Sequence, residues 1–248
     1  MGLQHHAREP VFKAPWPAVL IAAVIVLGYA LQTRTPEPNA LLASFALVPA
    51  NLALGAWDEL VTHIFLHGSW PHALFNAAGA LIFATPVARL IGTTPPRALA
   101  FFLFYLVCGV AAGGLFALAD VAAANANGLP GLGFPPDTPL VGASGAISGL
   151  AGASARLLGG DGRLAPIFSR FPVGMAAAWI VANVIIGVVG FAPGAGEAQV
   201  AWQVHIIGFF VGLVLIGPWA ALFGQRHVEP APDAPDAPDE IPEGFGWR

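Results

Sequence analysis

Two serines, Ser144 and Ser148, lie in the uncharged stretch VGASGAISGL (Val141–Leu150). A serine hydroxyl becomes an effective nucleophile only when a base takes its proton, and histidine is the usual base at neutral pH. His205 offers that base. His72 and Asn76 are four residues apart, so on a helix they share one face. A ring N–H and a side-chain amide on that face would stabilise the oxyanion of a tetrahedral intermediate. The backbone N–H at Ser144, near a helix start, would be a further donor with favourable dipole sign. No Asp or Glu occurs in the apolar runs that hold these residues. The residues therefore support a Ser144–His205 dyad, without the carboxylate of the common triad.

These side chains need elements to carry them. The 248-residue chain is 56% hydrophobic and 10% charged, against roughly 25% charged in ordinary soluble domains. Apolar runs near 20 residues read as membrane helices, since a helix rises about 1.5 Å per residue across a core of about 30 Å. Six such runs are expected: Trp16–Leu31, His72–Ile91, Ala98–Ala119, Leu140–Leu158, Val173–Phe191 and Val204–Phe223. The first resembles the apolar part of a signal peptide, but no convincing cleavage site follows it. Residues 32–71 are apolar yet too broken to span, and fit interfacial or partly inserted helices. Residues 1–15 form a polar, mildly basic N-terminal segment, residues 16–224 the six-span domain, and residues 225–248 a tail. That tail repeats A-P-D and holds six acids between Glu229 and Glu243. It is too polar and Pro-rich to bury a core and is expected to be disordered.

Six spans put nine of the ten Lys/Arg residues on one side, with only Arg34 opposite. The positive-inside rule then places both termini in the cytoplasm. Spans two, four and six run from outside to inside. His72 and Asn76 begin span two, Ser144 begins span four and His205 begins span six. All four polar groups are thus expected at similar depth near the outer face. Gly145, Gly149 and Gly152 line one face of span four, and Gly208 and Gly212 one face of span six. Small faces let helix backbones approach closely, which a hydrogen-bonded serine and histidine require.

Each residue also has a plain structural reading. Serine in a Gly/Ala-rich helix is commonly a packing residue, and a membrane histidine can be packed or pore-lining. Asn183 and Gln203 read as interhelical contacts, and Cys108 as a small packing residue. His63 and His67, four apart, raise a metal cluster with His72, but no HExxH pattern or intramembrane acid accompanies them. No metal or other cofactor is expected. The absence of a basic patch argues against nucleic acid.

The motifs together resemble the rhomboid intramembrane serine proteases, over roughly Trp57–Gly217. The G-x-S-G signature is Gly142-Ala143-Ser144-Gly145. THIFLHGSWPHALFN (Thr62–Asn76) closes on the matching His-x-x-x-Asn, and AWQVHIIGFFVG (Ala201–Gly212) holds the last-span His-x-x-G. The resemblance implies Ser144 as nucleophile, His205 as base, His72 and Asn76 as oxyanion-hole side chains, and Trp57–Trp70 as part of a membrane-embedded first loop. Departures are Ser148 where an aromatic is common, Asp58-Glu59 after Trp57 in place of a Trp-Arg pair, and a single Gly208 where a doublet is common.

The expectation is an all-α polytopic membrane protein, a six-transmembrane-helix rhomboid-like bundle with a partly inserted first loop. Its expected activity is intramembrane endoproteolysis of transmembrane helices of other proteins near the outer face. Its setting would be the lipid bilayer, in a bacterial cytoplasmic membrane. The alternative is a catalytically silent rhomboid-like protein that binds client transmembrane helices. A transporter or channel is less well supported, since no inverted repeat or intramembrane acid is present.

Overall fold

A computed structural model describes residues 14–52, 54–125, 137–160, 163–189 and 200–224. The N-terminal segment 1–13 and the tail from 225 onward lie outside the described residues. The elements run α1 (Trp16–Gln32), α2 (Pro38–Phe45), α3 (Pro49–Leu52), α4 (Glu59–Thr62), a 3-10 turn at His63–Phe65, α5 (Trp70–Ile91), α6 (Pro95–Asn125), α7 (Ser144–Leu158), α8 (Arg170–Val189) and α9 (Trp202–Phe223). Among the described residues the only strand-like pairing is one isolated antiparallel bridge, Leu47 with Leu140.

Each expected span overlaps a helix, although Leu140–Leu158 is helical only from Ser144 and residues 190–191 of the fifth lie outside the described residues. Four of them, α5, α6, α8 and α9, are long and apolar enough to cross a membrane. The other two are shorter: α1 has 17 residues and α7 has 15. At about 1.5 Å per residue α7 extends only about 22 Å, well under the roughly 30 Å hydrocarbon core. It starts at Ser144 rather than Leu140 because the preceding residues are held elsewhere. Leu47 and Leu140 exchange backbone hydrogen bonds of 2.9 and 2.8 Å, and the Gly142 N–H donates to the His63 carbonyl at 2.9 Å. Every residue from Gly145 to Ala155 is buried, packed among α5, α6, α8 and α9. A helix surrounded by protein need not be lipophilic, which accounts for its Gly/Ala/Ser composition. The lipophilic side chains are on the outside: Leu27, Ile82, Leu99, Leu118 and Val188 are all more than half exposed.

The two ends of the bundle differ in kind. At one end Trp16 Nε1 donates to the Thr93 carbonyl, and Arg97 donates to the carbonyls of Ile91 and Phe223 at the last residues of α5 and α9. Arg156, in the last turn of α7, donates to the Ala165 carbonyl at 2.8 Å. Cations there satisfy orphan carbonyls and complement the helix dipoles. The opposite end holds the Leu47–Leu140 bridge and the starts of α5, α7 and α9.

The connection from α1 to α5 is broken into short helices, as its pattern predicts, and is tied down by polar contacts. The buried Glu59 carboxylate accepts from the Val48 N–H at 2.9 Å and the Asn51 side-chain amide at 2.8 Å. The Gln32 amide donates to the His67 carbonyl at 2.8 Å and accepts from the His67 N–H at 3.1 Å. These bonds fix the segment that leads into His72.

Candidate active site

Ser144 is the first residue of α7 and His205 lies in the first turn of α9. Their side chains meet, with Oγ and Nε2 2.9 Å apart. The contact requires α7 and α9 to touch backbone to backbone, and the glycines permit it. A Cβ on Gly208 would collide with the Gly145 carbonyl, one on Gly212 with the Gly149 carbonyl, and one on Gly152 with the Phe209 carbonyl. Ser148 is buried at this same seam, its Cβ 3.2 Å from where a Gly208 side chain would begin.

Ser69 caps the start of α5, its hydroxyl accepting from the His72 N–H at 3.2 Å. The His72 ring then faces the Gly142 backbone. A Cβ on Gly142 would lie 2.8 Å from His72 Nε2 and 3.7 Å from Ser144 Oγ. Gly142 also has φ +126°, in the region that disfavours any side chain. Two constraints therefore converge on this glycine. Asn76 is buried one turn further along α5, its amide donating to the His72 carbonyl at 3.0 Å.

His63 and His67 do not join the pair. His63 Nδ1 donates to the Glu59 carbonyl at 2.8 Å, and burial lowers its pKa to about 4. His67 is fully buried, and among the described residues neither ring nitrogen has a hydrogen-bond partner. Its ring stands edge-on to His72 with centroids 5.1 Å apart. Burial first, and then the charge of His72, push its pKa down to about 3.

One contact was not legible as more than helix packing. Asn183 of α8 places Oδ1 2.7 Å from His205 Nδ1. An amide thus occupies the third position for which the sequence offered no carboxylate. The signal was a lone polar residue in a span, whose partner depends on how α8 is rotated against α9.

The fold is that of an all-helical membrane protein whose lipid-facing surface surrounds a serine–histidine pair at one end of the bundle. The Rhomboid domain model matches residues 54–220, more than half of the chain. The chain belongs to the rhomboid family, whose members are generally intramembrane serine proteases, although inactive members occur. No curated protein matches the sequence significantly.

Proposed function

We propose that the chain is an active intramembrane serine endopeptidase acting on transmembrane segments of other membrane proteins near the outer face. The observation that carries this reading is the 2.9 Å contact between Ser144 Oγ and His205 Nε2, within the range for proton transfer. In the proposed reaction Nε2 takes the Ser144 proton as Oγ attacks the scissile carbonyl carbon. The resulting oxyanion would be held by three kinds of donor: the Ser144 backbone N–H, a His72 ring N–H and the Asn76 amide. One amide hydrogen of Asn76 is engaged by the His72 carbonyl, which leaves the second for the oxyanion. The Gly68 N–H makes a long 3.5 Å contact to His72 Nδ1, which favours the ring proton on Nε2, the nitrogen that faces Gly142. On collapse the C–N bond breaks and His205 gives its proton to the departing amine. Water, deprotonated by His205, then hydrolyses the acyl-serine.

The proposed setting is six membrane helices, with α1 and α7 as the two short ones and both termini cytoplasmic. The short α7, starting at Ser144, supports a nucleophile set below the membrane surface, where water can enter from the outer face. A fluorophosphonate probe, with the adduct mapped by mass spectrometry, separates this reading from a silent client-binding protein. The expected result is one adduct on Ser144, lost in His205→Ala. A folded protein that is never labelled would favour the silent reading.

A further inference from the structure

We infer that Asn183 is a positioning residue that completes a Ser144–His205–Asn183 triad by fixing the tautomer and orientation of the base; this rests on the proteolytic reading above. The Asn183 amide fixes its own orientation. Its nitrogen donates to the Trp179 carbonyl, one turn back on α8, at 2.9 Å. A carbonyl only accepts, so the nitrogen must lie there, and Oδ1 must face His205. Oδ1 in turn only accepts, so His205 Nδ1 carries the ring proton. Nε2 is then left with its lone pair toward Ser144, 2.9 Å away. The opposite tautomer would set two lone pairs against each other at 2.7 Å and remove the base from the serine. One helical-turn hydrogen bond on α8 thereby decides which nitrogen of α9 can act.

The surroundings support the assignment. Val181, Val184 and Ile185 on the same helix are exposed, whereas Asn183 is buried. A polar side chain in a membrane helix is costly unless it is turned inward and paired, and Asn183 is both. The grip on His205 is double. Trp179 Nε1 donates to the His205 backbone carbonyl at 3.2 Å, and its ring stacks on Phe209, one turn further along α9. Side chain and backbone of the base are thus both held from α8.

The test uses the full chain in detergent micelles with a transmembrane reporter. Asn183→Leu removes the acceptor at nearly constant volume, and Asn183→Asp keeps the acceptor but loses the donor to Trp179. Asn183→Leu is expected to lower kcat by about ten- to a hundred-fold with KM little changed, and Asn183→Asp to recover most of that loss. A packing role predicts otherwise, because Asp breaks the bond within α8 as surely as Leu does. In parallel, nitrogen-15 NMR of histidine-labelled wild type should show His205 in the Nδ1–H form, with a mixture of tautomers in Asn183→Leu. Wild-type kcat in Asn183→Leu, equal impairment in both variants, or an Nε2–H His205 in the wild type would each overturn the inference. A wild type that holds the Nδ1–H form but cleaves nothing would instead count against the proteolytic reading.

Discussion

Gly142 carries two constraints in one residue: a positive φ of +126° and a His72 ring 2.8 Å from where a Cβ would sit. Gly142→Ala should therefore cost about 1–3 kcal/mol of stability and displace His72. Thermal unfolding in detergent and reporter cleavage should both register it, and a variant unchanged in both would contradict the geometry. Ser148 is the contrasting residue. It is buried at the α7–α9 seam, and Ser148→Ala should leave cleavage within about two-fold, since a small-for-small change in a packed core is well tolerated. At this scale the meeting of Ser144 and His205 is legible in the sequence. Both residues sit at the starts of apolar runs that travel in the same direction, so counting the runs brings them level. The Asn183 contact is not legible, because no spacing within α8 reveals which helix face turns toward His205.

The decisive element is α7. Its Gly/Ala/Ser pattern reads equally as a weak membrane span or as a helix enclosed by others. The structure resolves this through its neighbours: the buried face runs all the way round, and the Leu47–Leu140 bridge ends the helix at Ser144. That bridge joins residues far apart in sequence, which is why the start of the helix is displaced from the run Leu140–Leu158. The glycine faces of α7 and α9, by contrast, are plain from spacing alone. Gly212→Ala would press a methyl group into the Gly149 carbonyl and should cost about 1–3 kcal/mol. Reporter cleavage should fall with it, because the same seam sets the Ser144–His205 distance. Gly174, on α8, has open space where a Cβ would go, and Gly174→Ala should be neutral or slightly stabilising. A comparison of the two unfolding midpoints checks both, and equal effects would refute the close approach.

For the whole molecule, the buried neutral histidines of the α1–α5 connection tie stability to pH. An unfolded histidine has its ordinary pKa of 6.5, whereas burial in the fold pushes His63 down to about 4 and His67 down to about 3. Above pH 6.5 both states are neutral and the groups contribute nothing to the pH dependence. As pH falls below 6.5 the unfolded state binds protons first, so stability is lost progressively down to about 4 for His63 and about 3 for His67. The unfolding temperature in detergent should drop over that window, and less steeply in His67→Phe. A flat profile in the wild type would contradict the burial of these rings.

The six-span proposal is likewise a property of the whole chain. Exposed Asp137 and Arg163 flank α7 on its two sides, and Cys108 is buried. In intact cells a membrane-impermeant maleimide should label Asp137→Cys and spare Arg163→Cys; the reverse pattern would invert the proposed orientation.

Proteolysis by Ser144 can be read from the peptide bonds that are cut. It is tested most directly by co-reconstituting the full chain with a transmembrane reporter in liposomes and mass-mapping the fragments. The expected result is one cut within or beside the outer part of the reporter helix, abolished in Ser144→Ala and in His205→Ala. The same cut made at full rate by Ser144→Ala would exclude Ser144 as the nucleophile.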